Sequence, residues 1–417
     1  MSMESGLNSF LYVSKQIKKS LLSFVIVFLT LATSIDAQDK SGFSSYWKNG
    51  YYVESADGDF KMKFGGRIQY HFSMFSQDDD INNLFGTLDN GSEFRRLRFY
   101  NSGTIYNSVQ YKLQLSYVNG SATLADVWIG LKSLPVIGSL RVGHLKEAFS
   151  LEMMTSSNNI TFLERSLASA FKKQRNIGIS VFNNLLENRV AWSIGLFQNT
   201  DKFGNSIGEG RNITARLVYL PYVDEDKRQF LHLGIAYSDR QPADGEYSVK
   251  SRPEAHLAPA YVGTGTINNA SSSYMAGGEI ALKADRFALQ SEYIASGVDS
   301  DSGDFSFSGY YAEASFFLTN DHKKYSSSSS AFKGVTPAKN FNPESNSPGF
   351  GAWQVALRYS NIDLADKSIS GGVLNDFTAG LNWFLNPATR ISLNYTLSKL
   401  EDVGSSNIFQ TKFQVAF

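Results

Sequence analysis

One pattern runs along almost the whole chain: apolar and polar residues alternate with a period of two. Val109, Tyr111, Leu113, Leu115 and Tyr117 are interleaved with Gln110, Lys112, Gln114 and Ser116, which sets one row of side chains on each face of an extended strand. The rhythm returns in Val190, Trp192, Ile194 and Leu196, in Leu231, Leu233, Ile235 and Tyr237, and in Phe377, Ala379, Leu381 and Trp383. No stretch of similar length carries a helical period. Such segments fall near 60–76, 94–104, 108–119, 123–133, 139–146, 177–184, 189–198, 211–220, 229–239, 274–284, 286–297, 307–319, 353–362, 374–385, 388–400 and 408–417, sixteen in all. A candidate at 249–260 is set aside, because Pro253 and Pro259 interrupt its ladder.

Periodicity alone fits a soluble sandwich, with the apolar rows as its core, or a membrane barrel, with those rows turned to lipid. Three further features favour the barrel. First, Lys15, Lys18 and Lys19 precede an apolar run from Leu21 to Ala32 and a small residue at Ala37, the layout of a Sec signal peptide over residues 1–37. The run is shorter than the roughly 20 residues of a spanning helix, and with no cysteine in the chain neither a lipoprotein anchor nor a disulfide framework is available. Second, connections alternate between short (105–107, 134–138, 185–188, 285, 386–387) and long polar ones (77–93, 147–176, 199–210, 240–273, 298–306, 363–373, 401–407). Segment 320–352, with the Ser326–Ser330 run and Pro337, Pro343 and Pro348, is long yet falls on the short side. Third, the last strand carries Phe409, Phe413 and Val415 on one face and ends in Phe417, a signal of the kind read by the outer-membrane barrel assembly machinery. The expectation is therefore an all-β transmembrane antiparallel barrel of 16 strands over 60–417, with short periplasmic turns and long outer loops. A short periplasmic segment, 38–59, precedes it, and the Gram-negative outer membrane is its destination.

With apolar rows outward, parity assigns Arg96, Arg98, Lys112, Lys132, Arg141, Arg216, Lys283, Arg286, Arg358, Arg390 and Lys412 to the lumen, against Asp126, Glu279, Glu292, Glu313 and Asp376. The chain as a whole balances 39 Lys and Arg with 39 Asp and Glu, which excludes a nucleic-acid footprint. A lumen with an excess of one sign focuses the field on counter-ions, and rings of Arg and Lys select anions. The acids displaced from it fall in loops, at Asp78, Asp79, Asp80, Asp299, Asp301 and Asp304.

Several stretches carry a family likeness: Arg95-Arg96-Leu97-Arg98, Tyr111-Lys112-Leu113, Arg141-Val142-Gly143, Thr161-Phe162-Leu163-Glu164-Arg165-Ser166, Arg175-Asn176-Ile177-Gly178 and Gly351-Ala352-Trp353. From about residue 60 to 417 the chain resembles the phosphate-selective porins O and P. The resemblance implies a homotrimer of 16-stranded barrels through which small anions such as phosphate diffuse, narrowed by the third long loop, 147–176, folding toward the lumen. It also implies that Arg95 and Arg96 stand at the constriction with Asp126 beside them, and that the loop adds Lys146, Arg165, Lys172, Lys173 and Arg175. Parity by itself points Arg95 outward, so the resemblance requires a bulge there. The chain departs from the family at Lys146-Glu147-Ala148, where a proline is usual, and at Asn158 and Asn159, where charged residues are common. Fewer convergent cations discriminate less between phosphate and chloride, which favours a general anion porin over a tight phosphate site.

Enzymatic readings find little support. The five histidines, His71, His144, His232, His256 and His322, sit in no recognisable nucleophile motif. Gly263-Thr264-Gly265 lacks the strand and helix that flank a phosphate cradle. Asp299, Asp301 and Asp304 lack the closing glutamate of a calcium loop, so no metal or cofactor is expected. A non-conducting structural or adhesin-type barrel is the stronger rival; it would differ in having a plugged lumen.

Overall fold

A computed structural model describes residues 42–118, 121–171, 175–201, 203–344 and 347–417. The proposed leader at 1–37 and the residues up to 41 lie outside the described residues, as do Lys172 and Lys173. Sixteen long strands form the barrel: β1 (Phe60–Gln77), β2 (Gly91–Ile105), β3 (Val109–Val118), β4 (Ser121–Leu134), β5 (Gly138–Lys146), β6 (Arg175–Leu185), β7 (Val190–Thr200), β8 (Ser206–Asp224), β9 (Gln229–Arg240), β10 (Ala270–Ala284), β11 (Phe287–Ser300), β12 (Gly303–Phe317), β13 (Ala352–Asp366), β14 (Ile369–Phe384), β15 (Thr389–Leu400) and β16 (Gly404–Ala416). Each pairs antiparallel with the next, and β16 pairs with β1 from Ser406 opposite Gln77 to Ala416 opposite Arg67, so the sheet closes and leaves no edge. At the seam the N–H of Phe417 donates to the Gly66 carbonyl at 3.0 Å. A side chain at Gly66 would run into the Phe417 ring and the Arg98 carbonyl, which is why a glycine stands there.

Burial is inverted relative to a soluble sheet. Ile129 and Ile235 on the outside are more than 60% exposed, whereas Arg358, Lys412, Ser392 and Gln69 on the inside are at most 1% exposed. Lipid is the solvent that makes this arrangement favourable. Ahead of the barrel, Tyr51–Glu54 pair with Lys61–Phe64. Residues 42–44 and 55–57 make a small unit of their own, in which the Ala56 N–H donates to the Gly42 carbonyl.

The loop lengths differ from expectation. Segments 298–306, 363–373 and 401–407 are not long loops: β11 and β12 are joined by two residues, β13 and β14 by two, and β15 and β16 by three. Their polar residues continue the ladder beyond the apolar band, so that Asp299 faces Asp304 across β11 and β12, and the apolar period used to set the strand ends stops short of the hydrogen bonding. Lys367 and Asp402 turn the chain with positive φ. Most of the remaining length lies in 78–90, whose helix Asp79–Phe85 sets Ile81 in a buried cluster, and in three longer segments that pack on the inner wall. In 147–171, Phe149, Leu167, Ala168 and Phe171 join a buried cluster with Phe307, Tyr311 and Ile362. In 241–269, Tyr261, Val262 and Ile267 join the same cluster. From the opposite rim, 318–351 brings Phe332 against Leu151, Phe230 and Ala281.

Candidate functional site

The inner segments leave open one principal chamber of about 770 Å³, along the β1–β6 side of the barrel. Among the described residues its lining contains twelve Lys or Arg and three carboxylates. The strands contribute Arg67 (β1), Arg95, Arg96 and Arg98 (β2), Lys112 (β3), Asp126 (β4), Arg141 and Lys146 (β5) and Arg175 (β6). Parity explains most of these, and Arg95 has a specific cause. In the β1–β2 ladder Gln69 faces Arg96 while the next residue, Tyr70, faces Phe94, so the register shifts at Arg95. A bulge of this kind re-aims a side chain and brings two successive arginines to one side.

The cations fall into two groups. In the first, carboxylates bridge them. Glu164 of the 147–171 segment accepts from Arg95 Nε at 2.7 Å and from Arg96 Nη2 at 3.1 Å, and Asp126 lies 2.6 Å from both Lys112 Nζ and Arg175 Nε. Burial would raise the Glu164 carboxyl, but Arg95 and Arg96 together hold it well below the usual 4.5. Its contribution to stability is therefore complete above the ordinary glutamate range, and is lost only as pH falls through that depressed value.

Among the described residues the second group has no carboxylate partner. Arg67 donates to the Ser157 hydroxyl at 2.7 Å. Lys146 donates to the Met153 carbonyl at 2.6 Å, and Arg165 to the carbonyls of Glu152 and Thr155. Arg141 stacks on Trp128 and Phe182, 4.2 and 4.6 Å from the ring centres, and Arg98 Nε has no hydrogen-bond partner. Neutral acceptors orient Arg67, Lys146 and Arg165 and aromatic rings orient Arg141, without cancelling their charge.

Other expected site residues lie elsewhere. Arg216 is outside the chamber, paired with Glu279 at 2.6 Å, and faces a smaller cavity of about 180 Å³ that shares Arg141, Lys146 and Met154 with the chamber. Arg358, 1% exposed, is held by Glu254, by Glu152 at 3.2 Å and by the Glu164 carbonyl. Arg390 donates to the Ile160 carbonyl at 2.9 Å. Inward parity put Arg358 and Arg390 on the correct face, but the inner segments cover them. Lys132, at the turn end of β4, is not part of the chamber lining; a register shift between Leu131 and Leu134 interrupts its ladder.

Sequence reasoning missed Arg67, Glu164, Lys250, Arg252, Glu254 and Lys333, all of which line the chamber. The alternation in β1 already points Arg67 inward with Gln69 and His71. The others sit on irregular segments, where no period reports orientation. Glu254 is the anchor that turns 241–269 inward: it accepts from Ser360 and Thr378 at 2.6 and 2.7 Å, and its backbone N–H donates to Asp376.

A closed sixteen-stranded barrel with a lipid-compatible exterior and a basic internal passage is an outer-membrane anion porin. A family model, phosphate-selective porin O and P, matches residues 62–417, and the chain belongs to that family. Porin O of Pseudomonas aeruginosa is 26% identical, with 94% of this chain and 96% of that protein aligned. In fold the chain is similar to a loop-deletion mutant of OmpT of Vibrio cholerae (TM-score 0.55, 10% identity, 86% of this chain and 100% of that one). It is likewise similar to an anion-selective porin from Comamonas acidovorans (TM-score 0.53, 12% identity, 86% and 100%).

Proposed function

We propose that the chamber is a hydrated filter for small inorganic anions, with phosphate admitted and weakly retained rather than tightly bound. The observation that carries this is the division among its cations: among the described residues, Arg67, Lys146 and Arg165 bond only to neutral acceptors, Arg141 stacks on aromatic rings and Arg98 has no ion-pair partner, while Arg95, Arg96, Lys112 and Arg175 are bridged by Glu164 and Asp126. The uncompensated charge raises the local anion concentration. At roughly 30 Å³ per water, a chamber of about 770 Å³ holds on the order of 25 waters, far more than a cradle that strips a phosphate would leave. Graded addition of phosphate during chloride conduction in planar bilayers tests this. A shallow fall in current, setting in at millimolar phosphate, supports the filter; complete block at micromolar phosphate contradicts it.

In this reading the family likeness extends to a homotrimer, to release of residues 1–37 during Sec export and to delivery by the barrel assembly machinery through the strand ending in Phe417. Sedimentation of the detergent-extracted protein and N-terminal sequencing of the mature chain, starting at Gln38, check the first two.

A further inference from the structure

Behind the 147–171 segment, away from the chamber, four side chains on three neighbouring strands leave their donors unmatched. Lys412 of β16 stands opposite Ser392 of β15 and opposite His71 of β1, and Arg390 lies two residues before Ser392, on the same face. All four are at most 2% exposed. Lys412 Nζ, Arg390 Nε and Nη2, Ser392 Oγ and His71 Nε2 have no hydrogen-bond partner among the described residues. The 147–171 segment covers them: Arg390 Nη1 donates to the Ile160 carbonyl and Gln414 to the Asn158 carbonyl. The nearest carboxylate, Glu164, is 3.9 Å from His71 Nδ1, and its oxygens are already taken by Arg95 and Arg96. None of the four lines the chamber.

Two buried cations without a counter-charge are among the costliest arrangements a protein interior can hold. We propose that Lys412, Arg390, Ser392 and His71 form a closed site for a single small monovalent anion of the halide type, which fastens the 147–171 segment to the β15–β16–β1 wall. The group set selects a halide: the ammonium and guanidinium are donors only, and the hydroxyl and imidazole can each present a donor. The site is separate from the conducting chamber, so it acts on loop position and not directly on permeation.

Bromide soaked into crystals of the mature protein is the test, read by anomalous scattering. The expected result is a peak within hydrogen-bonding reach of Lys412 Nζ and Arg390 Nε in the wild type, and none in Lys412→Met. Because a ligand that binds only the folded state stabilises it in proportion to the logarithm of its concentration, the wild-type Tm should rise with chloride relative to gluconate at equal ionic strength, and that difference should vanish in Lys412→Met. Should that variant not fold, Ser392→Val, which fills the site and leaves both cations, should likewise lose the peak. Bromide confined to the chamber, or a Tm with no chloride-specific term, overturns the inference and leaves the anion pathway standing. Bromide at Lys412 with a cation-selective pore does the reverse.

Discussion

The two sides of the lumen use the same residue types for opposite ends. Along β1–β6, arginines and lysines face the chamber and outnumber carboxylates, with Arg141 held by stacking and Lys146 by carbonyls. From β8 to β13, three buried cations are matched. Arg216 meets Glu279, Lys323 meets Glu313 at 3.3 Å, and Arg358 meets Glu152 and Glu254. On that side Glu292 accepts from the backbone N–H groups of Leu151 and Glu152 at 2.9 and 2.7 Å, pinning the first turn of the inward segment. An arginine inside a barrel thus does not by itself mark a path for ions; what decides is whether the inner segments leave it facing the chamber, as they do Arg98 and not Arg358 or Arg390.

Breaking the matched side should have the largest effect. Arg358→Met strands the carboxylates of Glu152 and Glu254 in a buried site, at a cost of about 3–5 kcal/mol. Urea unfolding should show that loss, and bilayer recordings a larger, noisier conductance as the inner segments come loose. On the open side, Arg98→Glu reverses a charge with no partner to lose. Anion preference should fall steeply or invert, while the unfolding midpoint moves by less than about 1 kcal/mol. Asp126→Asn sharpens the comparison in the other direction: it frees Lys112 and Arg175, so chloride preference should rise, with a stability loss of about 1–3 kcal/mol from the unpaired donors. Acidification to around pH 4.5 should leave the Glu164 lock closed, since its carboxyl is held well below that value; a change of selectivity there that Glu164→Gln abolishes would contradict it. Lys132→Gln should be nearly silent, within about 0.5 kcal/mol in stability and with an unchanged reversal potential.

The barrel was legible from the sequence because its physics is periodic. Alternation located all sixteen strands and the inward face of Arg96, Lys112 and Arg141, and even the misfit of Arg95 pointed to the bulge that β2 contains. What alternation could not show was the filling of the barrel. Segments 241–269 and 318–351 lack a period, and their inward course is fixed by tertiary bonds: Glu254 to Ser360 and Thr378, Lys323 to Thr161 and Glu313. Parity therefore counts Arg216, Arg358 and Arg390 as open lumen, although Glu279 of β10 pairs with Arg216 and the inner segments cover Arg358 and Arg390. The same bonds consume the carboxylates on one side and leave the other side basic.

That asymmetry is tested most directly by the reversal potential of the wild-type protein in a planar bilayer under an asymmetric KCl gradient. An uncompensated basic chamber predicts a potential of the sign set by chloride, with lower magnitude in Arg98→Glu. A potential of the sign set by potassium, or insertion without conductance, would contradict it.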